Sequence, residues 1–591
     1  MNIRARTPAQ GQRHYQKPLQ KFKCRPKIRF IVTQTISADE CKSAKGNLSV
    51  PMGLITVVRG YMDKTGLTNL FDRFKTKGVR MSALVMMLIV FSLSENNSMA
   101  ACAEWLKDTR IRRLFGIKEQ VSQRTLNRAL QKLGTHREEI IVNLHRGLRD
   151  MYPEMSRNID CDGSSVAMHT EGEMAKHGHP RDKNPDGLQV EFMLGMFEES
   201  RIPFYVRSFM GNASDEEQYA RSLPEMIGIM DKDDIDAFRH IADRLVGNIR
   251  LRNEEREAAR RSRSKGKRGR KKKPVAEESD GGKYELLRIN RELGNVSWVI
   301  FDNGGASVYN TDAVNEMGRE YLTRKDMNKT DMKLVESTEP VLVEPGLRCW
   351  TETFESSGRT KYIFKADYLE EAKSHAADRR VDKMAEIARA LKNGEIKPES
   401  LIEVRKNEFV QFDVKVQIQQ ILTEYTEEEL KALKERYRGK YCGFFHLESS
   451  APLTPLEAIR MYRKRVAIEH AIKSLKNLAG IKPMRVWDKE SVTGRMVLAL
   501  LAESIMSMVR YEYPENYVKV TRKGTSVIKS HKPDNISLCR MLTQLTVTYY
   551  VDENRRNSRV ISGVSDEVAG ILERLEAKTG RNSSILPFVT T

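Results

Sequence analysis

The sequence predicts an α/β protein, and three observations predict it. The first is a run of three successive strands. Asn158–Met168 is followed by a segment in which Leu188, Val190, Phe192, Leu194 and Met196 alternate, and then by one in which Ile202, Phe204, Val206 and Ser208 do. Period two is the mark of a half-buried strand, and three in a row ahead of helical material at 216–260 suggest an antiparallel meander feeding an α/β sheet. The second is Val296–Asp302, nearly all apolar and ending in Asp302-Asn303-Gly304-Gly305. That pattern is a buried strand stopping at a turn with a carboxylate at its C-terminal tip, where open α/β sheets build their sites. The third is Pro455–Leu478, one helix with an apolar stripe of Met461, Ile468, Ile472, Leu475 and Ala479 that would dock it on a sheet.

Taken in order, residues 1–48 form a basic arm with nine Lys or Arg before Phe30 and little periodicity. Residues 49–152 are helical. Ser82–Leu93 is an apolar helix ended by the Glu95-Asn96-Asn97 turn, and Ser98 caps the next, in which Ala101, Trp105 and Leu106 share a face. Ser122–Leu133 is short, basic and amphipathic, with Leu126, Ala129, Leu130 and Leu133 on one stripe. It suits either a DNA groove or an ordinary bundle. The first part of the α/β core spans 153–334 and is interrupted by Arg260–Lys273, ten basic residues in fourteen, which cannot pack a core. Residues 335–447 are β-rich, with strands at Pro340–Val343, Thr360–Phe364 and Phe409–Ile418 and a helical stretch at 368–393. The core resumes over 448–512, and a mixed region covers 513–591.

Composition narrows the partner. The 591 residues carry 101 Lys plus Arg against 80 Asp plus Glu, a formal charge of +21. Such an excess points to a polyanion, nucleic acid or an anionic membrane. A membrane is disfavoured: the most apolar run, Ala83–Phe91, falls short of the roughly 20 residues needed to span, Met496–Val509 is interrupted by Glu503, and the basic N-terminus lacks the apolar stretch of a secretory signal. The seven cysteines are scattered and contain no CxxC pair, so reduced thiols in a cytoplasmic protein are expected rather than a disulfide framework or a zinc site. His169, His177 and His179 fit no common zinc spacing and read as loop residues. No P-loop, GxSxG or GxGxxG stands where it would matter, which disfavours a nucleotide cofactor and serine-hydrolase chemistry.

The helix Pro455–Leu478 carries the strongest single signal. Tyr462, Arg465, Glu469 and Lys476 lie at offsets 0, 3, 7 and 14. At roughly 100° per residue they fall within about 60° of arc, one narrow polar stripe beside the apolar one. A solvated face with charge pairs would give the same charges, but it needs neither a tyrosine in register nor an adjoining apolar stripe. The spacing Tyr-x2-Arg-x3-Glu-x6-Lys resembles the signature of bacterial insertion-sequence transposases of the DDE type. Other segments resemble that family in the expected order: Ile159-Asp160-Cys161-Asp162-Gly163-Ser164-Ser165, then His177-Gly178-His179, Leu188-Gln189-Val190, Ile202-Pro203-Phe204, Gly211-Asn212-Ala213-Ser214-Asp215 and Val299-Ile300-Phe301-Asp302. The similarity is spread over about 158–505 and is nearest to the branch with a β insertion before the glutamate. The chain departs from the pattern at Asn303, where the family often has Arg, at Met210, where it has Pro, and in the basic run.

The resemblance implies a ribonuclease H-like catalytic core with a β-rich insertion domain and an N-terminal helical DNA-binding region. It implies Asp162, Asp302 and Glu469 as the catalytic and metal-holding acids. Asp160 competes with Asp162, since residues i and i+2 on a strand share a face, and the Asp-Gly-Ser-Ser context favours Asp162. Phosphodiester cleavage needs charge neutralised on phosphoryl oxygens, which suits two Mg²⁺ ions, with Mn²⁺ as a substitute, held by carboxylates. Arg465 and Lys476 would grip phosphates of the cleaved end, and Tyr462 would either join them or sit in the core with a wet hydroxyl. Trp350, in the β-rich region, would be buried or stack on an unpaired base. The implied activity is that of a transposase binding the ends of its own insertion sequence, cleaving them by metal-dependent hydrolysis and joining the 3′-hydroxyl ends to target DNA. Double-stranded DNA and a homodimer in the synaptic complex are the implied partners, in the bacterial cytoplasm at the nucleoid. A metal-dependent nuclease on the same core and a non-enzymatic DNA-binding relative are the alternatives.

Overall fold

In the computed structural model the described residues are 48–577 except 76, 95–97, 179–186, 264–282, 356, 396–424, 483, 523–524 and 552–556. The basic arm up to residue 47, the Glu95–Asn97 turn, His179, most of the basic run and the strand expected at Phe409–Ile418 lie outside them.

A short strand β1 (Leu48–Pro51) leads into seven helices: α1 (Met52–Lys64), α2 (Leu67–Arg73), α3 (Met81–Leu93), α4 (Met99–Trp105), α5 (Thr109–Leu114), α6 (Gln123–Thr135) and α7 (Arg137–Met151). Helix α3 is apolar on every side and every residue in it is buried, as a helix without a polar face must be. Ser98 caps α4 by accepting from the Ala101 amide, and Ser122 caps α6 by accepting from Thr125. The stripe Leu126, Ala129, Leu130 and Leu133 is buried, while Gln123, Arg124, Arg128 and Gln131 face solvent.

The core is a mixed α/β unit on one sheet, ten-stranded among the described residues. β2 (Ile159–Met168), β4 (Leu188–Phe197) and β5 (Pro203–Met210) form the expected antiparallel meander, with the two-residue β3 (Lys176–His177) also on the β4 edge. Helices α8 (Asp215–Lys232), α9 (Arg239–Arg263) and α10 (Glu285–Glu292) follow. The chain then returns to place β6 (Trp298–Phe301) parallel beside β2, and α11 (Val308–Glu316) leads to β7 (Glu320–Lys325), parallel to β6. After α12 (Lys329–Ser337) come β8 (Val341–Glu344), β9 (Leu347–Thr353) and β10 (Thr360–Ala366), then α13 (Asp367–Lys392), α14 (Glu427–Arg438) and β11 (Phe444–Ser449). The described strands of the β-rich region make no sheet of their own: β11 pairs antiparallel with β7, and β10, β9 and β8 continue the core sheet outward.

The helix expected over Pro455–Leu478 is two, α15 (Pro455–Arg463) and α16 (Val466–Asn477), with a tightened turn between them. There Arg465 N bonds Tyr462 O at 3.1 Å and Ile468 N bonds Arg465 O at 3.0 Å, i to i−3 contacts rather than i−4. No Pro or Gly causes the break. The two halves serve different cores: Ala458 and Ile459 join a cluster with Ile300, Leu322 and Phe364, whereas Ile468, Ala471, Ile472 and Leu475 join the large cluster over β2 and β4.

Helix α17 (Lys489–Glu512) runs through the centre, touching α1, α3, α6, α16 and β5. Gly134 of α6 and Gly494 of α17 bring the backbones together: a Cβ at Gly134 would strike the Glu490 carbonyl, and one at Gly494 the Leu130 carbonyl. Contrary to the sequence expectation, α17 is long and apolar enough to cross a membrane, though 94% of its most apolar stretch is buried inside the protein. Its interrupting charges are accommodated internally. Arg495 donates to the Ala479 and Gly480 carbonyls, and Glu503 accepts from Ser474 and Asn535. Beyond α17 lie the hairpin β12 (Asn516–Arg522) and β13 (Thr525–His531), then α18 (Asn535–Gln544), β14 (Thr546–Val551), β15 (Asn557–Ser562) and α19 (Asp566–Ala577). β14 pairs with both β1 and β15, and α18 and α19 pack on α1, so the C-terminal region is built onto the N-terminal helices.

Candidate active site

The first two acids are set by strand register. β2 and β6 pair with Asp160 opposite Ile300. Asp162 follows two residues further along β2, and Asp302 two residues beyond Ile300, directly after β6 ends at Phe301. Asp302 caps the turn Asn303–Gly305: its Oδ1 accepts from the Gly304 amide at 3.1 Å and from the Tyr219 hydroxyl of α8 at 2.8 Å. Both bonds use Oδ1 and leave Oδ2 for another partner. Burial, then the Asp302 charge, pushes the Tyr219 phenol far above its ordinary value, so it stays a donor. Gly304 lets this turn approach α8: a Cβ there would lie 2.9 Å from Asp215 Oδ2.

Asp160 and Asp162 have different surroundings despite sharing a face. Asp160 is 1% exposed and accepts from Arg465 Nη1 at 2.7 Å. The same Nη1 donates to the carbonyls of Cys161 at 3.0 Å and Ile300 at 3.2 Å. Burial pushes the Asp160 carboxyl up to about 7, against the pull of Arg465 and with Asp162, Glu198 and Glu469 adding to the rise. Burial also works against the Arg465 charge, but Asp160, Tyr219 and Asp162 hold the guanidinium well above its ordinary value. Asp162 is half-buried, accepts from the Gly163 amide at 2.9 Å and lies 3.7 Å from Arg465 Nη2. Asp160 is therefore committed to Arg465, and Asp162 is the acid of the pair that reaches the surface.

The expectation for Arg465 is a phosphate contact from the polar stripe it shares with Glu469. The structure instead turns it inward at the α15–α16 break, where it ties that break to β2 and β6 across 305 residues of chain. Lys464, beside it, pairs at 2.6 Å with buried Glu198 at the end of β4. Tyr462 is half-buried against the smaller cluster, 5.8 Å under the Arg465 guanidinium, and burial raises its phenol. Glu469 is exposed in the first turn of α16, and Lys476 is half-buried in its last turn.

Other sequence features separate similarly. Trp350 is buried, its indole donating to the Thr338 carbonyl at 3.0 Å and its ring beside Phe444. His169 and His177 are exposed. The dispersed segments around Gly178, Gln189 and Gly211 meet in one place: Gln189 Nε2 donates to the Gly211 carbonyl at 2.8 Å, and a Cβ at Gly178 or Gly211 would collide with this junction. Gln189 and Gln218 both donate to buried Glu191, fixing the start of α8 and hence Tyr219. The pattern offered no signal for Tyr219, because its contact with Asp302 spans 83 residues.

Among the described residues no group of three or more His, Cys, Asp or Glu side chains is gathered closely enough to hold a metal ion. Asp162 and Asp302 are carboxylates, the ligand type hard divalent cations take. Asp302 Oδ2 is not used by either of its two bonds, and Glu469 is exposed on α16.

No family model matches the chain, and no curated protein matches it in sequence. Among solved structures, a piggyBac transposase in its synaptic complex with hairpin DNA is similar over 84% of this chain and 78% of that one, at 8% identity and a TM-score of 0.31.

Proposed function

We propose that the protein is a DDE-type DNA transposase that binds the ends of its own insertion sequence, cleaves them hydrolytically and joins the 3′-hydroxyl ends to target DNA. The observation that supports it most is the arrangement at the middle of the sheet: Asp162 on β2, Asp302 directly after its parallel neighbour β6, and the helix of Glu469 tethered to those strands through Arg465. A unit of three antiparallel strands followed by two parallel ones supports a ribonuclease H-like core. Asp162, Asp302 and Glu469 would hold Mg²⁺ or Mn²⁺, which supplies charge neutralisation on phosphoryl oxygens and a nucleophilic oxygen near neutral pH. The chain's own groups prepare the acids. Tyr219 and the Gly304 amide orient Asp302, Arg465 keeps Asp160 internal and the strands in register, and Lys476 remains the candidate phosphate contact. Two ends must be joined, so a homodimer on double-stranded DNA belongs to the proposal, as does a place at the bacterial nucleoid in the cytoplasm.

Linear DNA bearing the element's ends, incubated with the protein, Mg²⁺ and a circular target, separates this reading from its nearest rival. Cleaved ends joined to the circle are the expected product. Cleavage without any joined product would make the protein a nuclease on the same core.

A further inference from the structure

Helix α6 buries the stripe of Leu126, Ala129, Leu130 and Leu133 in the helical bundle, which leaves its other face to be explained. At roughly 100° per residue, Gln123, Asn127, Gln131, Arg124 and Arg128 fall within about 140° of arc on the side away from that stripe. Asn127 is half-buried and the other four are exposed. None of these five side chains makes a hydrogen bond or ion pair among the described residues. Helix α6 contains no Asp or Glu, and residues 109–135 hold seven Lys or Arg against one acid, Glu119, which lies near Lys75. Glu104 is paired with Lys107 at 2.7 Å, Asp108 with Arg110 at 2.6 Å and Glu139 with Arg73 at 3.4 Å. Glu490 meets α6 through its backbone at Gly134, the C-terminal end. The helix is also firmly seated. Ser122 caps it, Lys132 donates to the Phe74 carbonyl at 2.9 Å, and it packs on α3, α4, α7 and α17, none of which carries a proposed acid.

We propose that α6 reads base edges in the major groove of bound double-stranded DNA, with Arg124 and Arg128 on guanine and Gln123, Asn127 and Gln131 on adenine. The major groove admits an α-helix, Arg forks onto O6 and N7 of guanine, and side-chain amides pair with N6 and N7 of adenine. A face that only had to stay soluble would carry acids as readily as cations. This one carries guanidiniums and amides alone, at one helical spacing. An acidic protein surface would engage the two guanidiniums and leave the three amides idle. Arg113 and Lys118, both exposed on the approach to α6, are placed for flanking phosphates, which position the helix without choosing the sequence. This rests on the proposed DNA reading and adds to it the residues that select the sequence bound.

The test selects binders to the full chain from a pool of randomised duplexes, then measures the enriched duplex and a scrambled copy by anisotropy. The wild type is expected to enrich a defined sequence. Arg124→Ala and Arg128→Ala are each expected to lose about 5- to 150-fold in affinity for the enriched duplex and little for the scrambled one, given ~1–3 kcal/mol of discrimination per bidentate pair. Selection repeated with Arg128→Ala should relax the choice at one base pair. Arg128→Lys keeps the charge without the fork, so it should bind the scrambled duplex as the wild type does and still lose the preference. A wild type that enriches no sequence, an unaltered preference in both alanine variants, or an equal loss on both duplexes overturns base reading by α6 and leaves the DNA reading standing. A wild type that binds no duplex at low salt overturns the DNA reading itself, and the role of α6 with it.

Discussion

Arg465 is held by a carboxylate and two strand carbonyls in a site closed to water, so its removal strands a buried charge. Breaking such a pair from one side typically costs about 3–5 kcal/mol. Arg465→Ala should therefore lower the melting temperature sharply, and a change within error would show that the pair does not hold the break. Asp162→Asn should leave melting nearly unchanged while abolishing metal-dependent cleavage, whereas Asp160→Asn should act mainly on stability. The opposite pattern would make Asp160 the first acid. A second buried acid predicts a pH dependence. Burial pushes Glu503 up to about 7, against its bonds from Ser474 and Asn535. Its folded pKa lies above its unfolded one, so its contribution is fully present below about 4.5 and is lost as pH rises toward 7. Glu503→Gln should gain stability relative to wild type at pH 8 compared with pH 5, as thermal melts at the two values would reveal. An equal difference at both would refute the shift. At this scale the strand end at Asp302 was legible, because an apolar run stopping at Asn303-Gly304-Gly305 marks it. Arg465's partner was not, because charge and spacing reveal nothing of a contact 305 residues distant.

Helical periodicity predicted one helix where α15 and α16 stand as two. Each half is amphipathic at the helical period, so the pattern runs through the break. Only the existence of two hydrophobic clusters, at different places on the sheet, forces the turn. Strand periods fared better, since β2, β4, β5 and β6 each meet the sheet through their own alternation or apolar run. The continuation of the sheet into β8–β11 was not legible, because pairing partners leave no periodic trace. The crossing of α6 and α17 yields a prediction at this scale. Gly494→Val puts a side chain where the Leu130 carbonyl stands, and overpacking of this kind typically costs ~1–3 kcal/mol. Melting should fall accordingly, and an unchanged midpoint would mean that the helices can part without cost.

Across the whole molecule the proposed function would use the charge of +21 to hold DNA and the three acids to cut it. Ten of the basic residues are concentrated at 260–273, a run that begins in the last turn of α9. Replacing them with neutral residues should weaken binding to any duplex and flatten the dependence of log affinity on log salt, by roughly 0.9 per lost phosphate contact, without moving the cleavage position. An unchanged salt slope would remove the run from the DNA interface. If Glu469 completes an acid set with Asp162 and Asp302, one substitution removes that set's function. Glu469→Gln, incubated with Mg²⁺ and DNA carrying the element's ends, should bind those ends as the wild type does while losing both cleavage and joining. Cleavage and joining at the wild-type rate would contradict the account and leave a DNA-binding scaffold in its place.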